Sequence, residues 1–247
     1  MSSNEFGVIR NAVGERLDYS YQPGRDGARE LVVIGHGVTA NKDREWAVTL
    51  ASALSMAGFA SLRFSFAGNG ESEGDFRDSC PTKEARDLGA VLDAVEDRAV
   101  VYVGHSMGAA VGVLRACEDD RIRLLVSLAG MVDTADFARR KFGDVEPGVG
   151  FMWDKPDCPL SQAFLDDMAE VGSVEPLAEA VHAPWLLVHG TEDTVVPFDE
   201  SLTIANRAAG EVEVVELEGA DHLFSGDAAQ EMAEAVVDWL RERRTVP

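Results

Sequence analysis

Short apolar runs alternate along the chain with longer amphipathic stretches, and turn residues are spread between them. Five apolar runs read as buried parallel strands: Glu30–Gly35, Phe59–Phe64, Ala99–Gly104, Leu124–Ala129 and Pro184–His189. Val212–Leu217 alternates and reads as an edge strand. Between them, three- and four-residue spacing predicts helices at about Arg44–Met56, Thr82–Val95, Met107–Cys117, Asp199–Ala209 and Asp227–Arg243. The first twenty-odd residues, with a turn near Ala12–Glu15, read as an antiparallel hairpin ahead of the parallel part. The prediction is an α/β protein with a mixed sheet of about eight strands and helices on both faces.

One connection is too long for a single crossover helix: 54 residues, Gly130 to Ala183, separate two predicted strands. Helical spacing at Ala135–Lys141 and Leu160–Glu170 brackets a Gly/Pro-rich apolar stretch, EPGVGFMWDKPDCP. The expectation is one domain over residues 1–247, carrying a small cap insertion at 131–183 over the strand ends.

The 247 residues suffice for a substantial core, and a hydrophobic share of 46% excludes a disordered or low-complexity chain. Charge narrows the partners. With 22 Lys+Arg against 44 Asp+Glu, the net charge of −22 argues against nucleic acid and anionic membranes. Only four of the 22 basic residues are lysines, which fits either a salty cytoplasm or a genome that favours arginine codons. Cys80, Cys117 and Cys158 are an odd number without metal-ligand spacing, so no structural disulfide is expected and a reducing, cytoplasmic setting is. No export signal or membrane span is legible.

Chemistry enters at Gly104-His105-Ser106-Met107-Gly108, which joins a predicted strand directly to a predicted helix. A serine in so sharp a turn exposes its hydroxyl, and its neighbours two residues away on each side must be small. It also stands at a helix N-terminus, where free N–H groups favour a forming negative charge.

On this GxSxG context the chain resembles the α/β-hydrolase superfamily, over nearly its whole length. The segment Gly35-His36-Gly37-Val38 is similar to the HG turn of these enzymes, which implies oxyanion donors at the amides of Val38 and Met107. The family's order of nucleophile, acid and base implies Ser106, then Asp193 in HGTEDTVVP, then His222 in GADHLF. Asp133, after the preceding strand, is the alternative acid. The stretch Phe64 to Gly74 resembles the glycine-rich loop of the cinnamoyl/feruloyl-esterase and serine-aminopeptidase-like subgroup, with Asn69 where its members often have His.

A serine hydroxyl needs an imidazole to take its proton, and the imidazole needs a carboxylate to hold its tautomer. The resemblance therefore implies hydrolysis of a small-molecule ester of a small or medium acyl or aromatic acid, with neither metal nor organic cofactor, by a monomer or homodimer. A thioesterase, an amidase or peptidase, a perhydrolase and a non-catalytic binding module share the same pattern. Phe151 and Trp153 in the insertion are candidate substrate contacts. The net charge disfavours anionic substrates unless local cations such as Arg139, Arg140 and Lys141 offset it.

Overall fold

The apolar runs become strands whose side chains alternate between two apolar layers. In a computed structural model that describes residues 5–25 and 29–244, Ile9–Arg10 (β1) and Arg16–Leu17 (β2) pair antiparallel as a separate two-stranded ribbon. Tyr19–Gln22 (β3) lies antiparallel on Ala60–Phe64 (β5) at one edge of the main sheet. Glu30–Gly35 (β4), β5, Ala99–His105 (β6), Ile122–Leu128 (β7), Trp185–Gly190 (β8) and Val212–Leu217 (β9) are parallel. The order is β3-β5-β4-β6-β7-β8-β9, so the sheet has seven strands and the hairpin stands outside it. As expected from its alternation, β9 is an edge.

Val32 and Ile34 of β4 face one layer with Trp46, Leu50 and Leu54 of α1 (Glu45–Ala57) and Met232, Val236 and Leu240 of α7 (Ala228–Arg244). Leu31 and Val33 face the other, with Leu88 and Val91 of α2 (Pro81–Ala94) and Val111 of α3 (Met107–Ala116). Each such side chain removed from water contributes about 1.5–3 kcal/mol. The helices α1, α2, α3 and α7 fall within two residues of their predicted ends. Helix α1 stops at Gly58, whose φ of 84° a side chain would resist.

Between β7 and β8 the chain builds α4 (Thr134–Phe142) and α5 (Gln162–Val171). Asp133 caps α4 by accepting from the Asp136 amide at 2.8 Å, and Ser161 caps α5 through the Phe164 amide at 3.1 Å. Phe137, Phe142, Met152, Leu160, Phe164 and Met168 form a third apolar cluster, which reaches Met107 at the start of α3. Helix α6 (Asp199–Arg207) then leads to β9.

The strand order reverses between β4 and β6, because the chain turns outward to β5 before returning to β6. The crevice at the carboxyl ends of β4 and β6 is therefore a switch point, where open α/β sheets gather ligands. Gly35 and Gly104 are paired there in register.

Candidate active site

Ser106 follows β6 with φ 54° and ψ −120°, a conformation rarely adopted by any residue but glycine. Its amide donates to the Leu128 carbonyl at 2.9 Å, and its carbonyl accepts from the Ala109 and Met131 amides, so the strained turn is held from both sides. The expected crowding is present: a Cβ on Gly104 would collide with the Gly108 carbonyl, and one on Gly108 would lie 2.5 Å from the His36 carbonyl.

The HG turn after β4 packs against this one. His36 is buried, donates from Nδ1 to the Gly37 carbonyl at 2.9 Å and accepts the Phe66 amide at Nε2 at 3.1 Å. Burial lowers its pKa to about 4, so the ring is a neutral strut between two loops. Val38 follows, then Thr39, a β-branched residue with φ 56°. Among the described residues, neither the Val38 nor the Met107 amide donates to a protein acceptor.

Strands β8 and β9 are neighbours, with Gly190 opposite Leu217, and their following loops bring Asp193 to His222. Asp193 Oδ2 accepts from His222 Nδ1 at 2.7 Å and from His189 Nε2 at 3.1 Å. Its Oδ1 accepts the Val195 and Val196 amides at 2.7 and 2.9 Å. The side chain is fully buried. Burial alone would raise the carboxyl pKa, but the hydrogen bonds from His189 and His222, the His222 charge and the Val196 amide outweigh it and hold it well below the usual range. Asp133, the alternative acid, is occupied as the α4 cap.

His189 braces Asp193: Nδ1 meets Ser201 Oγ at 2.8 Å, and Nε2 is shared between Asp193 and the Val196 carbonyl. Asp221, beside His222, shapes this loop by accepting the Leu223 and Ser225 amides and the Ser225 hydroxyl.

His105 ends β6, next to Ser106. Its ring reaches across to the His222 loop, where Nε2 lies 2.8 Å from the His222 carbonyl and the two imidazole centroids are 4.8 Å apart. It also packs on Trp46 at 4.8 Å. Burial, then the neighbouring His222 charge, lowers its pKa to about 3, so it donates as a neutral ring and ties the His222 loop to the Ser106 turn. The two residues are 117 positions apart, and no local pattern signals the contact.

Ser106 and His222 line one cavity of about 260 Å³, shared with Val38, Thr39, Arg44 and Trp153. Met107, which opens α3, is not among the lining residues, and its side chain joins the third apolar cluster. Trp153 is 40% exposed and packs edge-on against Phe142 with centroids 4.7 Å apart. Phe151, equally exposed, bridges to Pro159 and lies outside the cavity lining. Phe142 and Met152 are buried within the inserted cluster. Asn69 donates to Ser79 Oγ at 2.9 Å within its own loop, away from the cavity.

Arg139, Arg140 and Lys141, the local cations that would admit an anionic substrate, do not line this cavity. Arg139 and Arg140 pair with Asp136, and Lys141 Nζ donates to the Thr194 carbonyl at 2.9 Å. Among the described residues no cluster of His, Cys, Asp and Glu is suited to a metal ion, and no helix is long and apolar enough to cross a membrane.

Residues 31–236 match the model of a family described as the alpha/beta hydrolase family. The chain is 25% identical over 200 residues to the human (Homo sapiens) palmitoyl-protein thioesterase ABHD10, mitochondrial; the match covers 75% of this chain and only 64% of that relative. Two solved structures share the fold. Est1E from Butyrivibrio proteoclasticus with ferulic acid bound superposes with a TM-score of 0.82 at 24% identity, covering 95% of this chain and 98% of that one. The esterase domain of a Rhodothermus marinus protein gives 0.76 at 25% identity, covering 95% and 96%.

Proposed function

The chain belongs to the alpha/beta hydrolase family, and on that premise we propose that it is a serine hydrolase cleaving a carboxylic ester of a small or medium acyl or aromatic acid through an acyl-enzyme on Ser106. One observation carries the reading: the strained Ser106 and His222 line one cavity, and His222 is held through Nδ1 by a buried carboxylate at 2.7 Å.

With Nδ1 committed to Asp193, Nε2 is the nitrogen free to take the Ser106 proton as Oγ attacks the carbonyl carbon. The oxyanion that forms is held by the amides of Val38 and Met107. His222 then gives its proton to the departing alkoxide, leaving the acyl group on Oγ. Water repeats the sequence, giving its proton to His222 and its oxygen to the acyl carbon, and Ser106 leaves with the proton. Asp193 stabilises the imidazolium in both halves. His105 and His189 position the base and the acid without touching the reacting atoms.

Residues 131–183 act in this reading as a cap, with Trp153 contacting the acyl group and Phe151 at its outer side. The ferulic acid of Est1E and the esterase domain of the Rhodothermus marinus protein support an ester substrate; the name of the human relative supports a thioester as the second reading.

Hydrolysis of p-nitrophenyl esters of increasing acyl length, with a hydroxycinnamate ester and matched thioesters, tests the proposal. Turnover that requires Ser106 and shows an optimum among the esters is expected. Thioesters hydrolysed in preference to every ester support the second reading, and no activity above Ser106→Ala on any substrate overturns both.

A further inference from the structure

In a chain with a net charge of −22, the described residues that line the cavity holding Ser106 include no acidic side chain, yet they include two cations, Arg44 and Lys155. They come from distant parts of the chain, the N-cap of α1 and the turn after Trp153, and they converge on Thr39. Arg44 Nη2 donates to the Thr39 carbonyl at 3.0 Å, and Lys155 Nζ lies 3.4 Å from Thr39 Oγ1. Thr39 is itself held at a positive φ, one residue beyond Val38.

Among the described residues, neither cation is paired with a carboxylate. Nearly every other lysine and arginine around the site is committed: Lys42 to Asp18 and Asp43, Arg63 to Asp43, Arg140 to Asp136 and Glu200. Among the described residues, Arg44 and Lys155 have no carboxylate within 4.0 Å, and Arg44 Nε is buried with no acceptor at all. Asp154 and Asp157, on the same exposed turn as Lys155, do not line the cavity. An unpaired guanidinium beside an ammonium, facing a partly enclosed space, matches an oxyanion far better than it matches hydrocarbon.

We propose that Arg44, Lys155 and Thr39 form an anion subsite, and that the substrate carries a carboxylate or phosphate group at a distance from the bond cleaved at Ser106. This deepens the hydrolase reading and rests on it for the identity of the scissile bond. The guanidinium offers two parallel N–H donors, the ammonium a third, and the Thr39 hydroxyl a fourth. The overall negative field repels anions at long range, so the subsite selects at contact distance and favours substrates whose charge is localised at one end.

Binding to the Ser106→Ala protein tests the subsite without requiring turnover. Two matched pairs are titrated calorimetrically: monomethyl adipate against methyl hexanoate, and S-butyryl phosphopantetheine against S-butyryl pantetheine. The anionic member of at least one pair is expected to bind about tenfold tighter, the usual effect of one desolvated charge-assisted hydrogen-bond pair. Preference in the first pair identifies a carboxylate, and in the second a phosphate. Adding Lys155→Gln, at an exposed position, lowers that ratio severalfold; Lys155→Glu inverts it. Arg44→Gln lowers it further, with circular dichroism as the check on folding. Equal or weaker binding of the anionic member in both pairs overturns the subsite, and so does a preference that survives Lys155→Glu. If the preference holds but wild-type protein shows no Ser106-dependent hydrolysis, the hydrolase reading falls and the subsite stands.

Discussion

Replacing Asp193 by Asn changes one atom and reverses a proton. Oδ1 faces two backbone donors, Val195 and Val196 at 2.7 and 2.9 Å, so the amide oxygen of the substituted side chain must occupy that position. The new NH₂ then falls where Oδ2 stood, facing His222 Nδ1 at 2.7 Å and His189 Nε2 at 3.1 Å. His222 can meet an N–H donor only by accepting at Nδ1, which moves its proton to Nε2 and removes the lone pair that takes the Ser106 proton. The same exchange in a serine-protease triad costs about 10⁴ in kcat. A loss of about 10³–10⁴ in kcat is expected here, or about 4–5 kcal/mol of transition-state stabilisation, with KM little changed. Stability falls by about 1–3 kcal/mol, since two donors lose their charged acceptor. Steady-state kinetics on a p-nitrophenyl ester and urea unfolding read the two effects separately. A folded Asp193→Asn protein retaining more than a tenth of wild-type kcat would refute the argument.

His36 and His105 carry folded pKa values of about 4 and 3, below the ordinary value of 6.5, so the unfolded chain takes up protons that the folded chain refuses. Their contribution to stability is full above about pH 6.5 and is lost as pH falls toward 4 and 3, at up to about 3 kcal/mol per pH unit for the pair. Their ring proton resonances should stay at neutral-imidazole positions at pH 5, and a midpoint near 6.5 for either would contradict this. Glu84 works in the opposite direction. It is buried on α2 with Oε2 unpaired, and burial, despite Lys83 and with Asp87 and Asp167 nearby, raises its pKa well above 4.5, so it destabilises the fold as pH rises through that raised value. Glu84→Gln should therefore raise the melting temperature at pH 8 and have little effect below pH 4.5; equal shifts at both would show a packing effect instead. Trp153→Ala should alter acyl-chain preference more than stability, because the ring is 40% exposed at the cavity; an unchanged ester profile with a much lower melting temperature would identify a packing residue.

The parts of this molecule that can be read from the chain are those whose cause is local. Strand β4 is visible because Leu31–Ile34 must be apolar on both faces, and the Ser106 turn because backbone crowding admits only glycine at 104 and 108. The hairpin is legible as a turn, but not its separation from the sheet, since two-residue strands carry too few side chains to specify a partner. What depends on tertiary placement is not legible. Nothing near His105 announces the His222 carbonyl, and nothing in the isolated Arg44 or Lys155 announces the cavity. The basic run Arg139–Lys141 is better suited on charge alone, yet its own helix supplies Asp136 to Arg139 and Arg140, and Lys141 is held by the Thr194 carbonyl, so none of the three lines the site.

The central claim is that Ser106 is the nucleophile. Intact-protein mass spectrometry after treatment with a fluorophosphonate, followed by peptide mapping, addresses it directly. The account predicts one adduct per chain, mapped to the peptide containing Ser106, absent from Ser106→Ala and strongly slowed in the Asp193→Asn and His222→Ala proteins. An adduct on another residue, or labelling of Ser106→Ala at the wild-type rate, would contradict it.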